Sequence, residues 1–195
     1  MKFYDIQQNT DEWDSLRRGK FTASMFKDLF MKETTQGYQD AIYKVVFERL
    51  TGESPESFTN EWMNRGHELE QEAREWYELE TYTKVHNGGF FEFNEWVGAS
   101  PDGLVCPDKI VEIKCPKYST MIEYLDKQKL PNIYKWQVQG QLWVTGRKSC
   151  DFIAYHPKLP KLVMTVEPDL ESQSELKEKL DEAIIKAQFL IQKIK

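Results

Sequence analysis

Residues 98–116 read GASPDGLVCPDKIVEIKCP. The segment opens on a Pro-Asp-Gly turn signal and closes on an apolar run, IVEIKC, ended by Pro116. Side chains along a strand alternate between its faces. Val111, Ile113 and Cys115 therefore share one face, and Ile110, Glu112 and Lys114 the other. An anion and a cation on one face of such a strand form either a solvated edge pair or a site. Asp102 favours the site, because a hairpin-like return from its turn carries it beside Glu112. Two carboxylates and a lysine at one end of a strand suit metal-assisted phosphodiester hydrolysis. Asp102 and Glu112, with the Ile113 backbone carbonyl as a further hard oxygen, are expected to hold one or two Mg²⁺ ions. Lys114 beside the cations is expected to have its ammonium form disfavoured, and so to orient or deprotonate a water.

Working outward, the chain of 195 residues is 40% apolar and 13% aromatic, long enough for one domain with its own core. The three cysteines, Cys106, Cys115 and Cys150, form no CxxC pair, which argues against a disulfide framework or a zinc ribbon. No run approaches a membrane span, and the start, MKFYDIQQNT, lacks a signal-peptide core, so a cytoplasmic location is expected. The net charge of −6 lowers the odds of nonspecific nucleic-acid binding without excluding a local basic groove.

The periodicity predicts a helical part over 1–80, a catalytic sheet core over 81–167 and a C-terminal helix over 172–195, all in a single domain 1–195. Thr10 is expected to cap a short helix ending at Gly19. Helices are expected over 23–31 and 38–50, and from Thr59 to Glu78 with Trp62, Leu69, Ala73 and Trp76 on one side. Short β-rich runs fill 81–115, helices follow near 119–127 and 132–144, and DFIAYH and KLVMTVE read as strands. Ser172 and Glu175 make a capping-box pattern for the last helix. The fold class is α/β, a central mixed sheet flanked by helices on both faces.

Longer words carry a resemblance. Pro101-Asp102 with Glu112-Ile113-Lys114 fits the PD-(D/E)XK signature. SPDG (100–103), EIKCP (112–116), WDSLRRGKFTAS (13–24), RGHELEQEAR (65–74) and WQVQGQLWVTG (136–146) are more specific. In that order they resemble the phage lambda-type alkaline exonucleases, the YqaJ-like viral recombinase family, within a restriction-endonuclease-like fold. The resemblance implies a Mg²⁺-dependent 5′→3′ exonuclease on linear double-stranded DNA, with two ions per site and Mn²⁺ able to substitute. It also implies a ring-shaped homotrimer, a phage single-strand annealing protein as partner, and phage or prophage origin in a bacterial host.

Carried over by position, Asp102 and Glu112 resemble the metal ligands and Lys114 the catalytic lysine. Glu70 matches a helical acidic residue near the metals, and Gln137 a glutamine of the active centre. Arg17 matches the arginine that binds a 5′-phosphate, with Ser24 and Ser100 as assisting hydroxyls. In the wider recombination-nuclease group a tyrosine often stands four residues after the glutamine, where this chain has Gln141.

Each position has a plainer reading. Asp102 suits a tight turn, Glu70 pairs with Arg74 at i,i+4, Arg17 complements a helix dipole, Ser24 caps a helix, and Gln137 with Gln141 makes a polar helix surface. The tryptophans are expected to be mostly core, and the three histidines structural or surface. Lys20, Lys27, Lys32, Lys44 and Arg49 are expected to line a DNA channel. A restriction or junction-cleaving endonuclease would share the three central residues without an end pocket. A non-catalytic DNA clamp would lose part of the metal set, and a glycosidase would need no lysine.

Overall fold

The computed structural model describes residues 1–55 and 61–195, with the side chains of 61–68 left aside. The expected cap at Thr59 and the placement of the Trp62 and His67 side chains lie outside the described residues. The strand predicted from IVEIKC is β7 (Lys109–Lys114), in the middle of a five-stranded sheet. Its neighbours are β6 (Gly103–Val105), antiparallel, and β8 (Ser149–Ala154), parallel. β3 (His86–Asn87) and β9 (Leu162–Val166) close the edges, giving the order β3-β6-β7-β8-β9.

A parallel pair needs a crossover, and α4 (Tyr118–Lys127) with α5 (Asn132–Thr145) supplies it between β7 and β8. These helices cover one face of the sheet, where Ile110 and Phe152 meet Met121, Val138 and Leu142. The other face holds Val111, Ile113 and Ile153 against Leu69, Ala73 and Tyr77 of α3 (Glu61–Thr81). Burial on both faces accounts for the near-continuous apolar run of β7.

The other strands do not extend this sheet. β1 (Lys2–Tyr4), β4 (Phe90–Glu92), β5 (Val97–Ala99) and β2 (Phe21–Thr22) form a separate four-stranded sheet. The expected central mixed sheet is present and a second, smaller mixed sheet accompanies it; β1 and β2 are too short for a period of two to register. α1 (Asp11–Arg17), whose cap Thr10 accepts from Trp13 N, lies between β1 and β2, and a 3-10 helix, Ala23–Phe30, follows β2. α2 (Gln36–Thr51) ends on Gly52 in the left-handed region. α6 (Leu170–Ile194) buries Leu176, Leu180, Ala183 and Ala187 against this half of the core. Its cap is Asp169, which accepts from the Glu171 and Ser172 N–H groups. The Ser172 capping box is therefore corrected: the helix starts at Leu170, so Ser172 lies inside its first turn and its own N–H is capped by Asp169.

Gly140 holds α5 against the 3-10 helix. A Cβ there would lie 2.2 Å from Phe26 Cδ2 and 3.2 Å from Leu176 Cδ2. Gly140→Ala should therefore lose about 1–3 kcal/mol of unfolding free energy through overpacking, despite the better helix propensity of alanine. Urea denaturation measures this, and a stabilised variant would show that the junction gives way freely.

Candidate active site

The turn before β6 places the first carboxylate. Pro101 brings no N–H, so regular pairing stops there, and Asp102 completes it in two ways. Its backbone N–H donates to Val111 O (3.1 Å), and its Oδ2 accepts from Ile113 N–H (2.6 Å). Arg74 of α3 donates to the Asp102 carbonyl (2.5 Å). Gln8 Nε2 donates to Pro101 O (2.8 Å), so the turn is held from both sides.

Glu112 faces α5 with no exposed surface. Gln137 Nε2 donates to its Oε1 (2.5 Å) and Gln141 Nε2 to its Oε2 (2.6 Å). The Lys114 ammonium also pairs with Oε1. Lys114 keeps about a quarter of its side chain exposed to the cleft and lies 5.3 Å from the Tyr134 ring centre.

The electrostatics follow from burial. Burial first, and then the charge of Glu112, push the Asp102 carboxyl well above its usual range; Glu70 adds to this, while Lys114 and the Ile113 N–H oppose it. Burial pulls the Lys114 ammonium down, but Glu112 and Asp102 outweigh it and hold it above its ordinary value. The disfavoured ammonium is an expectation for a site with bound cations; with the carboxylates alone the ammonium is favoured.

A basic wall faces this acidic one. Arg17, at the end of α1, lays its guanidinium over the Trp13 ring, 3.8 Å from its centre. Its Nη1 donates to Ser100 Oγ (3.2 Å), and Trp13 Nε1 donates to the same oxygen (3.0 Å). Burial draws the Arg17 guanidinium down to about 10, with Asp14 and Glu48 resisting. Arg18 instead reaches Ser54 Oγ (3.4 Å), so the two arginines are not interchangeable. Ser24 is exposed at the cleft mouth, 3.4 Å from Thr22 Oγ1, and is not the helix cap.

All eight side chains singled out from sequence line one cleft of about 160 Å³: Arg17, Ser24, Glu70, Ser100, Asp102, Glu112, Lys114 and Gln137. Glu70 meets both of its readings, 3.9 Å from Arg74 and on the cleft wall. For Ile113 it is the N–H that bonds Asp102, while the carbonyl expected as a ligand makes no described contact with that carboxylate. Sequence reasoning missed Gln8, Asn9, Trp13 and Gln141, which share the wall. Trp13, expected in the core, is half-exposed beside Arg17. Gln141 had one signal, its place one helical turn after Gln137.

Most of the basic residues expected along a channel carry a carboxylate or aromatic partner. Lys20 pairs with Glu92, Lys27 with Asp28 and Lys44 with Glu48. Arg49 lies over Trp96 and donates to Gly19 O, a structural role. Lys32 is exposed.

A turn carboxylate brought beside a carboxylate and a lysine of the central strand, in a helix-covered mixed sheet, is the mark of a PD-(D/E)XK-like nuclease fold. Comparison with solved structures agrees. LHK-Exo, an alkaline exonuclease from Laribacter hongkongensis, superimposes with a TM-score of 0.87 at 32% identity, covering 95% of this chain and 96% of the other. The same protein crystallised with dAMP gives 0.89 at 33% identity over the same shares of both chains. A phage-related exonuclease from Haemophilus somnus 129PT shares the fold, at a TM-score of 0.72 and 18% identity, over 93% of this chain and 99% of that one. An uncharacterised protein, R354, of Acanthamoeba polyphaga mimivirus is 27% identical over 169 residues, 78% of this chain. The chain spans 30% of the length of that relative. Residues 12–148 match the YqaJ-like viral recombinase domain. The chain belongs to that family, the lambda-type alkaline exonucleases, whose members have a nuclease role in recombination.

The strained state of Asp102 is measurable. A carboxyl whose folded pKa exceeds its unfolded one binds more protons when folded, so stability falls as pH rises between the two values. In chelator, the wild type should lose stability from about pH 4 upward relative to Asp102→Asn, which keeps an oxygen for the Ile113 N–H. Near pH 7 the variant should melt on the order of 2–4 °C higher, the shift that about 1 kcal/mol brings in a chain of this size. Parallel melting curves at every pH would contradict the electrostatic picture.

Proposed function

We propose that this protein is a Mg²⁺-dependent 5′→3′ exonuclease that shortens one strand of linear double-stranded DNA and leaves 3′ overhangs for single-strand annealing. The observation that carries the reading is one cleft lined by the acids Asp102, Glu112 and Glu70 and also by the cation Arg17 with the hydroxyls of Ser100 and Ser24. The first set suits a cation against a scissile phosphate, and the second a terminal phosphate, on the same short span of strand.

The donor set fits Mg²⁺. Asp102 and Glu112 offer hard oxygens, and the burial and then the repulsion from Glu112 that raise the Asp102 carboxyl are what a bound cation would offset. Among the described residues, no three His, Cys, Asp or Glu side chains form a metal cage by themselves. The remaining ligands would be backbone, water and phosphate oxygens, in keeping with the reluctance of Mg²⁺ to shed its waters. Bound there, one or two Mg²⁺, or Mn²⁺ in their place, would supply charge neutralisation at the phosphate and activation of water.

The chain's own residues do the rest. Gln137 steadies Glu112. Lys114 brings a positive charge and a proton donor to the cleft side of that carboxylate. Arg17 offers a planar fork suited to the oxygens of a 5′-phosphate, already stacked on Trp13 and so ordered before DNA arrives. Ser100 Oγ has both lone pairs occupied by Trp13 and Arg17, so its own hydrogen is left to donate to an anionic oxygen. A terminal phosphate carries more charge than an internal one, which favours ends. LHK-Exo has been crystallised with dAMP, a nucleoside monophosphate of the kind that stepwise hydrolysis from a 5′ end releases. The reading extends to a ring-shaped homotrimer around the duplex, a phage annealing protein as partner and action in the bacterial cytoplasm. A ring would hold an acidic protein on DNA by topology where salt weakens phosphate contacts.

Linear duplexes labelled at the 5′ or the 3′ terminus test the whole proposal. Label should leave the 5′ end first, only with Mg²⁺ or Mn²⁺, and covalently closed circles should survive; rapid cutting of circles would point to an endonuclease. Lys114→Ala should lower kcat about 10²–10⁴-fold, the range of a lost proton-transfer group. Arg17→Ala should abolish the preference for 5′-phosphorylated over 5′-hydroxyl ends, while Arg18→Ala should retain it; equal effects of the two would move the phosphate site elsewhere. Sedimentation at working concentration reads the trimer.

A further inference from the structure

Glu112 is fully buried, and the plane of a carboxylate turns easily about its last bond unless something fixes it. Two amides one helical turn apart on α5 hold its two oxygens separately, Gln137 at Oε1 and Gln141 at Oε2. They are not equivalent. Gln137 reaches the cleft surface, whereas Gln141 has no exposed area. Gln141 Oε1 is nevertheless the one buried side-chain nitrogen or oxygen among the described residues that no protein group satisfies.

Gln139, two residues away on the same helix, shows what a structural glutamine looks like here. It is as deeply buried, its Nε2 donates to Glu167 O (2.9 Å), and its Oε1 accepts from Asp169 N–H (2.8 Å). Both ends are matched, and they pin the start of α6. Gln141 is matched at one end only, and its side chain forms part of the cleft wall beside Glu112 and Asp102. A buried acceptor with no donor is costly to keep, and such groups are rare unless they serve a site.

We propose that Gln141 is a positioning residue for hydrolysis: its Nε2 fixes the carboxylate plane of Glu112, and its Oε1 accepts a hydrogen from a water in the hydration shell of the divalent cation. The inference rests on the metal-dependent reading above. It also follows from counting lone pairs. A carboxylate offers about four acceptor positions. Gln137 and Lys114 occupy Oε1, and Gln141 takes one position on Oε2. What Glu112 has left for a cation is on the oxygen that Gln141 holds.

Gln141→Met keeps the length and approximate volume of the side chain and removes both polar atoms. Mn²⁺ affinity of the purified full chain without DNA is read by titration calorimetry. kcat and KM are read on a 5′-phosphorylated linear duplex, and stability by thermal melting. Mn²⁺ affinity should fall about 10–100-fold, the usual effect of losing a group that orients a metal ligand. kcat should fall by a similar factor, with KM for DNA within about twofold. Gln139→Met should melt lower and bind Mn²⁺ as the wild type does. Wild-type Mn²⁺ affinity and kcat in Gln141→Met would overturn the inference. If that variant does not fold, Gln141→Asn, whose amide is one methylene too short for Glu112, gives the same readout, and wild-type affinity there overturns it equally. A wild type that binds no Mn²⁺ removes the metal-dependent reading and this inference together, whereas a binding wild type with an unaffected variant removes this inference alone.

Discussion

A carboxylate without any exposed surface sits in the central strand of the main sheet, and the protein is built to tolerate it. Glu112 would be prohibitively costly in that place alone. Its compensation comes from α5 through two amides and from its own strand through Lys114. This ties the crossover helix to the sheet by polar bonds as well as by Val138 and Leu142, and it fixes the rotation of α5. Gly140, the residue just before Gln141 on that helix, then has to meet Phe26 at close range. Polar satisfaction and close packing along α5 are one constraint seen twice.

The cleft gains its second wall from the smaller sheet. β5 ends at Ala99, so Ser100 emerges beside α1, where Trp13 and Arg17 both point hydrogens at its hydroxyl. The guanidinium is held by a ring face and a neutral oxygen, with acids only at a distance. That leaves its charge less cancelled than those of Lys20 or Lys44, which contact carboxylates directly. The protein as a whole is acidic, so what concentrates positive charge near the cleft is the lack of a close anion at Arg17.

Much of this was legible in the sequence because it is local. The alternation within IVEIKC assigned Glu112 and Lys114 to one face, and the Pro-Asp-Gly turn returned Asp102 to them. Helix ends at Thr10 and Gly52 carried their own capping chemistry. What stayed hidden depends on tertiary contacts. Gln141 looks like a surface polar residue, because the group that buries it lies on a strand far away in sequence. β1 and β2 are too short to show a period, and they strand-pair only because β4 and β5 offer edges. Trp13 reads as core by composition, yet its indole spends one face on a guanidinium. The last helix misled through a real signal: Ser172 with Glu175 has the form of a capping box, but the helix already begins at Leu170, and Asp169 caps the N–H of Ser172 itself.

The cleft wall draws on residues from Gln8 to Gln141, with the α5 glutamines as its last members. During synthesis the acidic pair is complete once Glu112 has left the ribosome, but the amides that make its burial tolerable emerge only later. Until then a nascent chain has a pair of exposed, hydrated carboxylates with no shaped surroundings. The shape of the carboxylates' surroundings therefore waits on α5, the last element to reach the cleft wall.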